Sequence, residues 1–143
     1  MEREALKKTS RMVVKFGTGI LTSRSKQIDP GQIEQLVAQV AAQRQAGREI
    51  IVVSSGAVGA GMGVLAMDKR PTDLSDLQAC AAVGQSQLMS TYTELFARHN
   101  MQVAQVLLTH DDIEHRERHL NARNTLVSLL DKGVVPIVNE NDA

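Results

Sequence analysis

The sequence predicts an α/β protein: a mainly parallel sheet with helices on both faces. Two observations carry this expectation. Four short aliphatic runs are separated by stretches of helical periodicity, and one of those runs is continuously apolar rather than alternating. Strand and helix in alternation build βαβ units, and a continuous β-branched run fits a parallel strand covered on both sides.

The first run is Met12-Val13-Val14-Lys15-Phe16. Asp29-Pro30-Gly31-Gln32 then supplies an N-cap, an N1 proline and an N3 glutamine, the pattern of a capping box. Ile33, Leu36, Val37, Val40 and Ala41 follow at helical spacing, and Gly47 stands where a glycine would end the helix. Ile50-Ile51-Val52-Val53 is the continuous run, and it leads into a glycine-rich strand-to-helix turn. Ser75 with Gln78 predicts a second capping box, opening a long helix through Leu77, Ala81, Leu88, Tyr92 and Leu95 that ends near Asn100. Val103 to Leu108 reads as a third strand, and a helix is expected over roughly Asn121 to Asp131, with Gly133 at its end. The fourth run, Val134-Val135-Pro136-Ile137-Val138, contains a proline that cannot donate to a ladder, which predicts an edge strand or an irregularity. Neither an internal repeat nor a linker divides the chain. It closes on Asn141-Asp142-Ala143 directly after a strand, and residues 1–143 are therefore expected to be the first part of a larger domain.

Composition narrows the function. At 143 residues with 43% hydrophobic content the chain can bury a core. Sixteen Lys and Arg balance sixteen Asp and Glu, which argues against a nucleic-acid or anionic-membrane binder. Three aromatics, Phe16, Tyr92 and Phe96, leave no stacking platform for single strands. The lone Cys80 cannot form an internal disulfide, so a reducing, cytoplasmic setting is expected. No apolar run approaches the roughly 20 residues of a membrane span.

Chemistry is expected at the carboxyl ends of the strands, where open α/β sheets bind ligands. Lys15-Phe16-Gly17-Thr18-Gly19 pairs a cation with bare backbone N–H groups that can hold phosphate oxygens, although a solvated lysine before a tight turn explains the same residues. Ser54-Ser55-Gly56-Ala57 opens a helix whose free N–H groups favour an anion, and close packing at a turn is the competing explanation. Asn139-Glu140-Asn141-Asp142 offers a carboxylate for an ammonium and amides for a carboxylate, or simple turn chemistry. Gly61, Gly63 and Ala66 match a dinucleotide fingerprint only formally, because they begin several residues after the strand. His115 and His119 sit four apart without an H-E-x-x-H pattern, so Glu114 to His119 reads as a charged, solvated or subunit-facing helix and not a metal site, and Cys80 reads as a small core residue.

Taken together these segments resemble the amino-acid kinase family. The residues that carry the resemblance are Val13 to Thr18, Val53 to Ala57, Ala81-Ala82-Val83-Gly84-Gln85-Ser86, Leu107 to Thr109, Arg116 to Leu126 and Pro136 to Ala143. They run in family order, and the A-A-V-G-Q-S, L-N-A-R and N-E-N-D segments are similar to the glutamate-phosphorylating branch. This resemblance implies a three-layer αβα, carbamate kinase-like fold, incomplete in this chain. It implies transfer of the γ-phosphoryl group of ATP, with Mg²⁺, to the side-chain carboxylate of L-glutamate, the first step of proline biosynthesis. By position, Lys15, Gly17 and Thr18 match the phosphate-contacting loop, with Lys15 offsetting charge during transfer. Ser55, Gly56, Ala57, Asn139 and Asp142 match the glutamate site. Proline feedback and a homo-oligomer are implied as well.

The family's domain is nearly twice this length, so the nucleotide half and any RNA-binding-like domain are expected to be missing and the chain inactive alone. A related acceptor (N-acetylglutamate, aspartate or carbamate) and a non-catalytic amino-acid-binding module are the alternatives.

Overall fold

The computed structural model describes residues 3–22 and 28–140. Four strands form one parallel sheet in the order β1-β2-β4-β3, with β1 at Arg11–Phe16, β2 at Glu49–Ser54, β3 at Val103–Leu108 and β4 at Val135–Glu140. Among the described residues seven helices accompany them: α1 (Arg3–Leu6), α2 (Thr18–Leu21), α3 (Pro30–Gln45), α4 (Ala57–Val64), α5 (Leu74–Ala97), α6 (His110–Glu114) and α7 (Arg116–Asp131).

Alternation along the strands sorts the two faces. Ile50, Val52, Val135 and Ile137 are buried with Ile33, Val37 and Val40 of α3 and Leu88, Tyr92, Leu95 and Phe96 of α5, which makes one apolar layer. The opposite face carries α7, whose Leu126, Val127 and Leu130 approach Ile51 and Leu108. Three layers result, as expected, but the second outer layer is partial. Val13 on edge strand β1 is 65% exposed, and Ile51 and Val53 are half-buried. The continuous apolar run of β2 therefore belongs to a strand fully covered on one face only.

Local expectations are met in part. Pro136 lies in an inner strand, so of its two readings the irregularity holds and the edge does not. The Val135 N–H reaches Gln102 O on the β3 side, so by alternation the missing donor of Pro136 faces β2, and the register between β2 and β4 begins only at Ile137. At α5 the cap is Asp73, whose side chain accepts from the Asp76 N–H, so Ser75 falls inside the first turn. At α7 the charged stretch and the apolar stretch from Asn121, expected as separate helical segments, form one helix from Arg116, while Glu114 ends α6.

The α3 expectation holds for its first half: Asp29 accepts from Gly31 and Gln32 N–H, with Pro30 at N1, while the Asp29 N–H goes to Leu21 O. Gly47 and Gly133 close α3 and α7 with φ of 93° and 74°. Thr109 and Asp112 cap α6 reciprocally, and the two hydrogen bonds from Thr109 hold the Asp112 carboxyl below its ordinary range.

Candidate functional site

Three chain segments meet at the carboxyl ends of β1, β2 and β4. They enclose a cleft of about 180 Å³ lined by Thr18, Ser55, Gly56, Ala57, Val58, Gly59, Arg70, Asn139 and Glu140. A larger hollow of about 600 Å³ lies between α1, β1 and α3, but aliphatic side chains such as Met12, Val14, Leu36 and Val40 dominate it. Polar groups converge on the smaller cleft, which is the better site candidate.

Gly56 makes the turn from β2 into α4. Its φ of 96° is left-handed, and a side chain there would press on Ile28 and Leu21. Helix α4 starts without a capping side chain, in contrast to α3, α5 and α6, so its first N–H groups open on the cleft. Tight packing fixes that helix end: a side chain at Gly84 of α5 would overlap the Ala57 carbonyl and the Gly61 nitrogen. A Cβ at Gly61 would meet the Cys80 backbone and sulfur in turn. Cys80 is buried, its thiol donates to Val58 O at 3.2 Å, and burial raises its pKa.

The hydroxyls are organised from below. Ser54 is the buried polar residue of the described core, and its Oγ lies 2.7 Å from the Tyr92 hydroxyl and 2.9 Å from Ser55 O. Burial pushes the Tyr92 phenol up to about 12, against a smaller opposing effect of the Ser54 hydrogen bond. Ser55 Oγ donates to Phe16 O at 3.2 Å and receives Thr18 Oγ1 at 3.1 Å. The β1 and β2 loops are thereby joined by hydroxyls. Across the cleft, Asn139 Nδ2 donates to Gln85 Oε1 at 2.9 Å, and Glu140 Oε1 stands 3.9 Å from His110 Nε2.

Of the residues singled out from sequence, Thr18, Ser55, Gly56, Ala57 and Asn139 share this cleft. Lys15 does not line it. It pairs with Val53 in the register one residue before the end of β1, exposed on the face opposite Phe16. Gly17 precedes α2 with a φ of −76°, and a Cβ there would meet nothing within 4 Å, so the described fold does not itself demand a glycine. Asp142 lies outside the described residues, two positions beyond Glu140.

Sequence reasoning missed Arg70, which reaches the cleft from the α4–α5 connection and has no ion-pair partner among the described residues. Nothing in the local sequence signals that approach. Among the described residues no three His, Cys, Asp or Glu side chains gather as a metal cage, and no helix is long and apolar enough to cross a membrane.

An open parallel sheet with an uncapped helix end and hydroxyl and amide groups at its strand tips gathers hydrogen-bond donors around one cleft. Residues 10–143 match the Amino acid kinase family, and the chain belongs to it. The chain is 50% identical over 140 residues to the glutamate 5-kinase of Azoarcus sp. (strain BH72), spanning 98% of this chain and 38% of that protein. It is also 50% identical to the glutamate 5-kinase of Geobacter sp. (strain M21) over 142 residues and 52% identical to that of Ralstonia pickettii (strain 12J) over 132 residues. The chain thus spans well under half the length of these relatives. A solved isopentenyl phosphate kinase shares the fold with a TM-score of 0.56 at 14% identity, covering 90% of this chain and 56% of that one.

Proposed function

We propose that residues 1–143 form the amino-acid-binding part of an ATP-dependent glutamate kinase that makes glutamate 5-phosphate for proline biosynthesis. The observation that carries this reading is the cleft where Thr18, Ser55, Gly56, Arg70 and Asn139 converge, together with the likeness to glutamate 5-kinases over 98% of the chain. In this reading the α4 N-terminus, Ser55, Arg70 and Asn139 receive the carboxylates, and Asp142 meets the ammonium. Lys15, with the N–H groups of Gly17 and Thr18, contacts the phosphates from the neighbouring strand tip. Support for that division is the exposure of Lys15 on the sheet face away from the cleft's helices.

The acceptor needs no general base, because a carboxylate with a reference pKa of about 4.3 is already ionised at neutral pH. Its oxygen bonds to the γ-phosphorus as the bond from that phosphorus to the β–γ bridging oxygen breaks, and ADP leaves. The protein's work is alignment and charge neutralisation. Mg²⁺ arriving with the nucleotide would add charge stabilisation there. Cytoplasmic location, a homo-oligomer and competition by proline belong to the same proposal.

Calorimetric titration tests it. L-glutamate is expected to bind this chain saturably, and N-acetylglutamate at least about tenfold more weakly, because acetylation removes the charged partner of Asp142. Preference for N-acetylglutamate would move the assignment to another acceptor.

A further inference from the structure

Gln85 does not line the cleft, yet it sets the chemistry of a residue that does. Asn139 Oδ1 accepts the Glu140 backbone N–H at 2.9 Å. A backbone N–H can only donate, so this contact fixes which end of the Asn139 amide is oxygen. Nδ2 must then face Gln85, and it does, donating to Oε1 at 2.9 Å. That assigns the Gln85 amide in turn, and its Nε2 donates to Gln105 Oε1 of β3 at 3.0 Å. One backbone N–H thereby orients three side-chain amides across β4, α5 and β3. Among the described residues one Nδ2 hydrogen of Asn139 has no acceptor, while its oxygen already accepts one hydrogen bond inside the protein.

We infer that Gln85 is a positioning residue that holds Asn139 with its amide nitrogen as a hydrogen-bond donor aimed at an anionic oxygen of the substrate. The inference rests on the amino-acid-binding reading above and adds to it the polarity of one contact. It also gives a role to the glutamine of the A-A-V-G-Q-S segment, whose glycine packs α5 against α4. Without Gln85 the Asn139 amide loses the acceptor that pins its nitrogen, and the donor no longer has a fixed direction.

The test compares wild type, Gln85→Leu and Gln85→Glu by calorimetric titration with L-glutamate, with thermal midpoints and the Asn139 side-chain amide proton resonances recorded for each. Leucine removes the acceptor. Glutamate keeps it, loses the donation to Gln105 and adds a negative charge, so all titrations are run at about 0.5 M salt to screen that charge. We expect Gln85→Leu to weaken binding about five- to tenfold and Gln85→Glu to stay within about twofold, with the Asn139 amide resonances displaced in the leucine variant alone. Wild-type affinity in Gln85→Leu overturns the inference and leaves the substrate reading intact. So does equal damage from both substitutions, because that pattern marks packing and not the acceptor. A wild-type chain without glutamate affinity overturns the substrate reading and takes this one with it.

Discussion

Gly84→Ala is expected to destabilise the protein by about 3 kcal/mol or more, lowering the thermal midpoint by about 6–12 °C. The added methyl would overlap the Ala57 carbonyl and the Gly61 nitrogen, both backbone atoms of α4. Backbone cannot rotate aside as a side chain can, so the α4–α5 crossing must open. Because Ala57 is the first residue of α4, the same displacement moves the N–H groups at the cleft, and L-glutamate affinity should fall with stability. Gly31→Ala is the control. Its Cβ would sit 3.5 Å from Asp29 Oδ1, an ordinary contact, and the substitution should be neutral or stabilising by up to about 1 kcal/mol. An unchanged midpoint in Gly84→Ala would show that the crossing is looser than described.

The second large effect is alkaline. Tyr92, the single tyrosine, is fully buried, with a phenol pushed from 10.0 to about 12 by desolvation. A folded-state pKa above the unfolded one means that the stabilisation is complete below pH 10 and is lost as pH rises towards 12. Two pKa units correspond to about 2.7 kcal/mol, an upper figure for this loss. Urea midpoints measured on either side of this window should drop in wild type by more than in Tyr92→Phe, which has no phenol to ionise. Tyr92→Phe should itself cost about 1–2 kcal/mol at neutral pH, because Ser54 Oγ loses a buried partner. Matching alkaline losses in the two proteins would show that the phenol ionises as readily folded as unfolded.

The four strands were legible because aliphatic runs bounded by glycine and polar residues have few other uses in a chain this size. Asp29 and Gly47 were legible for a related reason: a cap is a local hydrogen-bonding problem that a few neighbouring residues solve. Asp73 competed with Ser75 over the same few residues, and only the entry path of the chain decides between them. Pro136 left an edge and an irregularity open, because sequence does not show which neighbour a given N–H faces. Thr18, Ser55, Gly56, Ala57 and Asn139 could be placed together because each follows a strand and parallel strands end at one edge. Arg70 and the bridging role of Gln85 depend on how a connection and a long helix cross over that edge. Those are tertiary facts with no periodicity to betray them.

Cys80 gives the molecule an internal clock. As the sole sulfhydryl, shut beneath Gly61, it can meet an aqueous alkylating or disulfide reagent only when the two helices part. Its labelling rate therefore counts those partings, and ligand that holds the α4 end in place should slow the count.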